Sequence, residues 1–192
     1  ISDEPKEDQL PQYIAARKLV EPYVEGCPII DALSDIAFYA SGAATRPIPA
    51  LNRIQPFLDA GVPNLWSYCC VGQFKDVSNL FIAMPAARTR MLGVQLYKYE
   101  LAGFLQWGYN FYNNQYSLAP INPYLINDAD GAFPAGDAFL VYPGPDGKPE
   151  ASLRLKVFHQ ALSDLRALQR LEQLTSREQV VDLIRSHLDG PL

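Results

Sequence analysis

Two adjacent carboxylates, Asp3 and Glu4, stand near the start of the chain with Pro5 behind them. Neighbouring residues of a strand point to opposite faces, so both can reach one ligand only where the backbone turns. Pro5 cannot continue a strand ladder, which makes this a natural place for a strand to exit. Two contiguous carboxylates do not easily straddle a glycosidic bond as the usual acid and nucleophile. They suit a different chemistry, in which the sugar's own 2-acetamido oxygen attacks the anomeric carbon. One carboxylate then orients and stabilises the acetamido group, while the other protonates the leaving oxygen. An acid in that role must hold its proton near neutrality. Taken alone, Asp-Glu-Pro is more commonly a solvated acidic turn.

The next chemistry-bearing residues are aromatic. Gly103-Phe-Leu-Gln-Trp-Gly108 reads as a buried strand between two glycines, and Trp107, Tyr109 and Asn110 form a polar-aromatic rim beyond it. Flat rings stack on the apolar faces of a pyranose, and amides and phenols answer its hydroxyls. The plainer alternative is a core strand followed by an aromatic loop. Trp66 and Tyr68 alternate with Leu65 and Ser67, so they share one face of a second strand that exits at Gln73. Asp31 interrupts the apolar run Cys27–Leu33, either as a ligand-facing carboxylate or as one satisfied by loop amides. Tyr142 ends another apolar run, Ala138–Tyr142.

The elements that must carry these residues alternate along the chain. A helix is expected over residues 9–23, from the spacing of Leu10, Tyr13, Ile14 and Val20. A strand is expected over 27–33, a loop over 34–50 and a short helix over 52–60. A strand over 64–71 and a helix from Pro85 to about Leu101 follow, then the strand before Trp107. The Pro-, Asn- and Gly-rich stretch 110–137 reads as a long functional loop. A last strand over 138–142 precedes a helix capped by Ser152, and Thr175-Ser-Arg-Glu178 has the spacing of a capping box for a final helix.

Repeated strand–helix units imply an α/β fold with a parallel sheet. Four to five strands, counting a stub at Ile1, fit the C-terminal half of a (β/α)8 TIM barrel, since a whole one needs about 250 residues. The alternative, an open doubly wound sheet, lacks its usual Gly-rich phosphate loop. The expected domain is thus residues 1–192, with the N-terminal half of the barrel lying outside this chain. In a barrel the strand C-terminal ends carry the chemistry.

Composition narrows the class. The chain has 192 residues, 48% of them hydrophobic, and a net charge of -5. That is enough for a substantial core, while the acidic balance without a basic stripe argues against nucleic acid as a partner. No apolar run reaches membrane-spanning length, so no membrane partner is expected. Cys27, Cys69 and Cys70 are read as buried thiols, with a vicinal disulfide as the lesser alternative. With no CxxC spacing and only His159 and His187, no His/Cys zinc site is expected. Asp128, Asp130 and Asp137 loosely resemble a Ca²⁺ loop but lack its ordered spacing and closing Glu. No metal and no cofactor are therefore assigned.

Several motifs together carry a family resemblance. Ile1-Ser-Asp-Glu-Pro5, Asp31-Ala-Leu-Ser34, Trp66-Ser-Tyr-Cys-Cys-Val-Gly-Gln73, Phe104 to Tyr112, Gly136-Asp to Gly144 and Ser152 to Ala167 resemble the bacterial domain of unknown function 4091. That family is similar to the catalytic barrel of glycoside hydrolase family 123, the β-N-acetylgalactosaminidases. The resemblance implies a (β/α)8 barrel and retaining, substrate-assisted hydrolysis of a terminal 2-acetamido sugar. It places Asp3 as the acetamido-stabilising residue and Glu4 as general acid/base. It gives the pocket Trp66, Tyr68, Trp107 and Tyr109, and the strand ends of a barrel would add Asp31, Gln73, Asn110 and Tyr142 to the substrate-binding set. The expected partners are a carbohydrate substrate and either the missing barrel half or a second chain. Two rivals remain: a barrel that binds carbohydrate without hydrolysing it, and an inactive fragment whose aromatics only pack.

Overall fold

The structure, a computed structural model, describes residues 3–188. The expected strand stub at Ile1 and Ser2 lies outside the described residues. The chain forms two compact units: one runs to Tyr68 and includes Leu101–Leu105, and the other comprises Cys69–Glu100 and the residues from Gln106 onward.

The first unit is built on a ladder of short strands. Helix α1 (Leu10–Val20) has Pro in its first turn and is extended at each end by a 3-10 turn, Glu7–Gln9 and Glu21–Tyr23. Its apolar face is set by the spacing of Leu10, Tyr13 and Ile14, which pack with Leu33, Phe38, Ala43 and Ala44. Tyr13 meets Phe38 edge-on at 5.1 Å. Strand β1 (Asp31–Ala32) runs parallel to β2 (Pro47–Ile48), pairing Asp31 with Pro47 and Ala32 with Ile48. Between them lies the single turn of α2 (Ala37–Ala40). After α3 (Gln55–Asp59), a parallel bridge between Ala50 and Tyr68 extends the ladder to β3 (Trp66–Cys69). Strand β3 in turn pairs with β4 (Gly103–Gln106).

The ladder order is therefore β1-β2-β3-β4, and among the described residues it does not close on itself. β2 falls inside the stretch expected to be loop. It is two residues long and begins with a proline that has no N–H to give, so it leaves little periodic signal.

The second unit is largely helical. The helix expected after Pro85 is two, α4 (Ala86–Arg90) and α5 (Leu92–Lys98), separated at Met91. Long α6 (Leu153–Leu174) packs on both, and α7 (Arg177–Ser186) follows. Ser152 accepts from Leu155 N at 3.2 Å and fixes the start of α6. The cap of α7 is Ser176, one residue later than the expected Thr175. The Thr175 hydroxyl is spent on the Leu171 carbonyl at 2.8 Å, closing α6 instead. Tyr97, Val180 and Ile184 form the core between α5 and α7.

The last strand also differs from expectation. β5 (Val141–Pro143) starts later and pairs antiparallel with β6 (Pro149–Ala151), making a hairpin rather than a parallel unit. Among the described residues, no helix is long and apolar enough to cross a membrane.

Gly93 sets the approach of α5 to α6, because a Cβ there would collide with the Ala161 carbonyl oxygen. Gly93→Ala should therefore destabilise the protein by about 3 kcal/mol, the upper range for overpacking a tight core. Urea unfolding would show this as a lowered midpoint with little change in slope.

Candidate functional site

In the first unit, Asp3 and Glu4 form a bend and are exposed, while Pro5 behind them is buried. Glu4 lies in the left-handed region at φ +43°. A non-glycine residue held there costs on the order of 1–3 kcal/mol, so surrounding contacts must fix it. One such contact is a hydrogen bond that the Tyr68 hydroxyl donates to Glu4 Oε1.

Tyr68 is itself fixed by the ladder. It is 3% exposed, and its N–H bonds to the Pro49 carbonyl at 3.1 Å. Ser34 Oγ lies 3.3 Å from the phenol oxygen and accepts from Ala50 N at 2.9 Å. Because Tyr68 gives its one proton to Glu4, the Ser34 hydroxyl must donate to Tyr68. A directed chain thus runs Ala50 N–H, Ser34, Tyr68, Glu4, with every donor pointing toward the carboxylate. Ser34 was not singled out from the sequence. Its signal is a hydroxyl placed directly after the apolar run that ends at Leu33.

Asp31 has other partners. Its Oδ1 accepts from Ala32 N at 3.1 Å, and its carboxylate is bonded by the Tyr13 phenol of α1. Burial, then the Asp31 charge and this bond, push Tyr13 up to about 12. Trp66, at the start of β3, is 39% exposed and lines a cavity of about 70 Å³ with Ile30, Arg46, Val62, Pro63 and Asn64. Its indole lies across Gly103, where a Cβ would strike the ring. The structure thus brings Glu4 and Tyr68 together, while Trp66 opens onto a separate small cavity.

The remaining expected residues belong to the second unit. Gln73 is buried and closes the exit of β3, accepting from Cys70 N at 2.8 Å. Trp107 meets Phe133 edge-on at 5.3 Å and Phe111 at 5.7 Å. Tyr109 is 47% exposed, and its carbonyl accepts from Leu140 N and Val141 N. Asn110 is exposed and bridges to Phe139. Tyr142 packs on Phe139 and Tyr124, with centroids 5.1 and 5.0 Å away.

One buried group in this unit was not assigned a role from the sequence. Asp137 is 2% exposed, and its Oδ2 accepts from the Trp107 indole Nε1 at 3.2 Å. Burial pushes its carboxyl up to about 7, against smaller downward pulls from the Trp107 bond and the Arg154 charge. Asp128 is engaged elsewhere, accepting from Gly131 N, so the loose Ca²⁺ pattern is divided between two environments. Among the described residues no group of three His, Cys, Asp or Glu could hold a metal ion. The cysteines are free thiols: Cys69 is buried and Cys70 half-buried, whereas Cys27, expected to be buried, is exposed.

A carboxylate bent back onto a strand-borne phenol in one unit, and aromatic rings beyond β4 in the other, are each features that carbohydrate chemistry can use. Residues 1–171 match the family model for glycoside hydrolase 123, catalytic domain, and the chain belongs to that family. No curated protein matches the sequence.

Asp137 makes stability depend on pH with a definite sign. Its folded value, about 7, lies above the ordinary 3.8, so between these values the folded state holds more protons than the unfolded state. Stability should fall as pH rises through this window, by roughly 1 kcal/mol per pH unit. Urea titrations across the window should show this slope. It should be absent from Asp137→Asn, which should be the more stable protein at pH 8.

Proposed function

We propose that this glycoside hydrolase domain removes a terminal 2-acetamido sugar of the N-acetylgalactosamine type, with retention of configuration at the anomeric carbon. In the first step the substrate's acetamido oxygen attacks C1. The bond from C1 to the leaving oxygen breaks, and that oxygen takes a proton from Glu4. Asp3 orients the acetamido group by accepting its N–H, and its charge offsets the positive charge that builds on the resulting oxazolinium ring. In the second step Glu4 takes a proton from water as the water oxygen attacks C1. The ring reopens and the sugar leaves with its original configuration. Both proton transfers run through Glu4, and no metal enters either step as written.

The observation that carries this reading is the hold on Glu4. The second residue of an acidic pair sits in a strained backbone conformation with its carboxylate tied to a buried phenol. An acidic turn made only for solubility needs neither feature. The Tyr68 bond aims the carboxyl that exchanges the proton in this reading. The second unit, taken by itself, offers flat aromatic faces of the kind a pyranose stacks on, in Trp107 and Tyr109. The ladder edge at β1 is completed by the N-terminal half of a (β/α)8 barrel or by a second chain.

Replacing Glu4 tests the reading. In the intact protein, Glu4→Gln should lower kcat on alkyl or saccharide leaving groups by about 10²–10⁴-fold, the usual contribution of a positioned acid. Aryl glycosides that leave without a proton should suffer less in the first step. Wild-type turnover on a poor leaving group would remove Glu4 from the acid's role.

A further inference from the structure

We propose that Asp137 is the positioning residue for Trp107, clamping the indole through Nε1 so that the ring presents a fixed face to a saccharide. The inference rests on the reading of Trp107 as a sugar-stacking ring, and it assigns the support that such a ring requires. A stacking platform is useful only if its plane is set before the ligand arrives, since ordering it on binding subtracts from affinity.

The packing around Trp107 limits the ring without fully setting it. Phe133 and Phe111 touch it at steep angles, 79° and 55°, and such contacts leave freedom to tilt. The bond from Nε1 to Asp137 Oδ2 fixes the edge of the indole. The backbone beside it is equally constrained: Gly108 lies so close to the Asp137 carbonyl and Ala138 that a Cβ would overlap them. Trp107 and Asp137 are thus held both by side chain and by main chain.

Arg154 explains why the carboxyl is free to serve the indole. Its guanidinium donates to the carbonyls of Leu80 at 2.8 Å, Gly136 at 2.5 Å and Phe139 at 2.7 Å. These bonds pin the loop on both sides of Asp137 and direct the Arg154 donors away from its carboxylate. The ionisable groups acting on Asp137 are therefore few. Arg154 on α6 favours the charged form, and the Cys69 thiol at the end of β3 interacts with it. Tyr142 on β5 acts on Arg154.

Ionisation of Asp137 strengthens the clamp, because a charged acceptor makes a shorter and stronger bond to an N–H donor. The indole should accordingly be held more firmly above pH 7 than below it. This local gain coexists with the overall cost of a buried charge, since the two concern different comparisons.

Nuclear magnetic resonance of the ¹⁵N-tryptophan-labelled intact protein tests the clamp without substrate, with the Trp107 indole signal identified by its loss in Trp107→Phe. The signal should move downfield as pH rises, with a midpoint near 7. In Asp137→Asn, which keeps an acceptor but cannot ionise, it should be independent of pH. In Asp137→Leu the indole N–H should lose its protection from solvent exchange. A Trp107 signal indifferent to both substitutions, or a midpoint that persists in Asp137→Asn, overturns the clamp. For the saccharide, calorimetric titration with N-acetylgalactosamine should show at least a fivefold weaker Kd in Asp137→Leu, with Asp137→Asn between it and wild type. Unchanged affinity with a released ring overturns the stacking role of Trp107. It leaves the assignment of Glu4, which rests on turnover, standing or falling by its own test.

Discussion

The hydrogen bond from the Tyr68 hydroxyl to Glu4 ties the acidic bend to the strand ladder. That phenol can reach the carboxylate only because β3 sits in a particular register against β2. The Tyr68 N–H bonds to the Pro49 carbonyl, and Ser67 Oγ bonds to the same oxygen at 2.8 Å. A slip of one residue would send Tyr68 to the opposite face and break this bond. Each strand is only two to four residues long, so side-chain bonds such as those of Ser34 and Ser67 do much of the work that a longer ladder would do. The register and the Glu4 carboxylate are thus coupled, and a disturbance of β2 should be felt at Glu4.

The second unit solves a related problem by different means. There a carboxyl is buried rather than exposed, and the neighbouring cation is occupied with carbonyls instead of neutralising it. Burial of an unpaired carboxyl is costly in its charged form, and the group responds by keeping its proton to higher pH. The Arg154 bonds show why the arrangement persists. They tie the Leu80 carbonyl to the carbonyls of Gly136 and Phe139, and without them the loop that carries Asp137 would lose this anchor. Elsewhere in the unit, a bidentate pair between Arg90 and Asp164 joins α4 to α6 at the surface, where such pairs add little to stability. The specific packing at Gly93 and Ala161 matters more to how these helices meet.

Much of this was legible from residue types and little from pairings. The amphipathic stripe of α6 and its Ser152 cap follow from local spacing, and both are present. The start of α7 was displaced by one residue because Thr175 and Ser176 offer the same hydroxyl, and only the end of α6 decides which is free. The hairpin after Val141 was hidden because β6, Pro149-Glu150-Ala151, is exposed throughout and carries no apolar alternation. The types Asp3, Glu4 and Tyr68 pointed to one chemistry, but their sequence separation gives no clue that Glu4 and Tyr68 touch. Asp31 was left between two roles, and its bond from Tyr13 depends on how α1 lies over β1. Asp137 was read only as part of a loose Ca²⁺-like pattern, because it closes a loop rich in Asp and Gly whose composition suggests exposure. The available signal was its position directly before the apolar run Ala138–Val141.

The use of a substrate acetamido group as nucleophile, with Asp3 to steady it, is tested most directly by calorimetric binding of a thiazoline analogue of N-acetylgalactosamine. This analogue copies the bicyclic ring that the first step would form. The intact wild-type protein should bind it much more tightly than it binds the parent sugar, and Asp3→Asn should lose most of that advantage. Equal affinity for thiazoline and parent sugar, or a preference that survives Asp3→Asn, would contradict the mechanism.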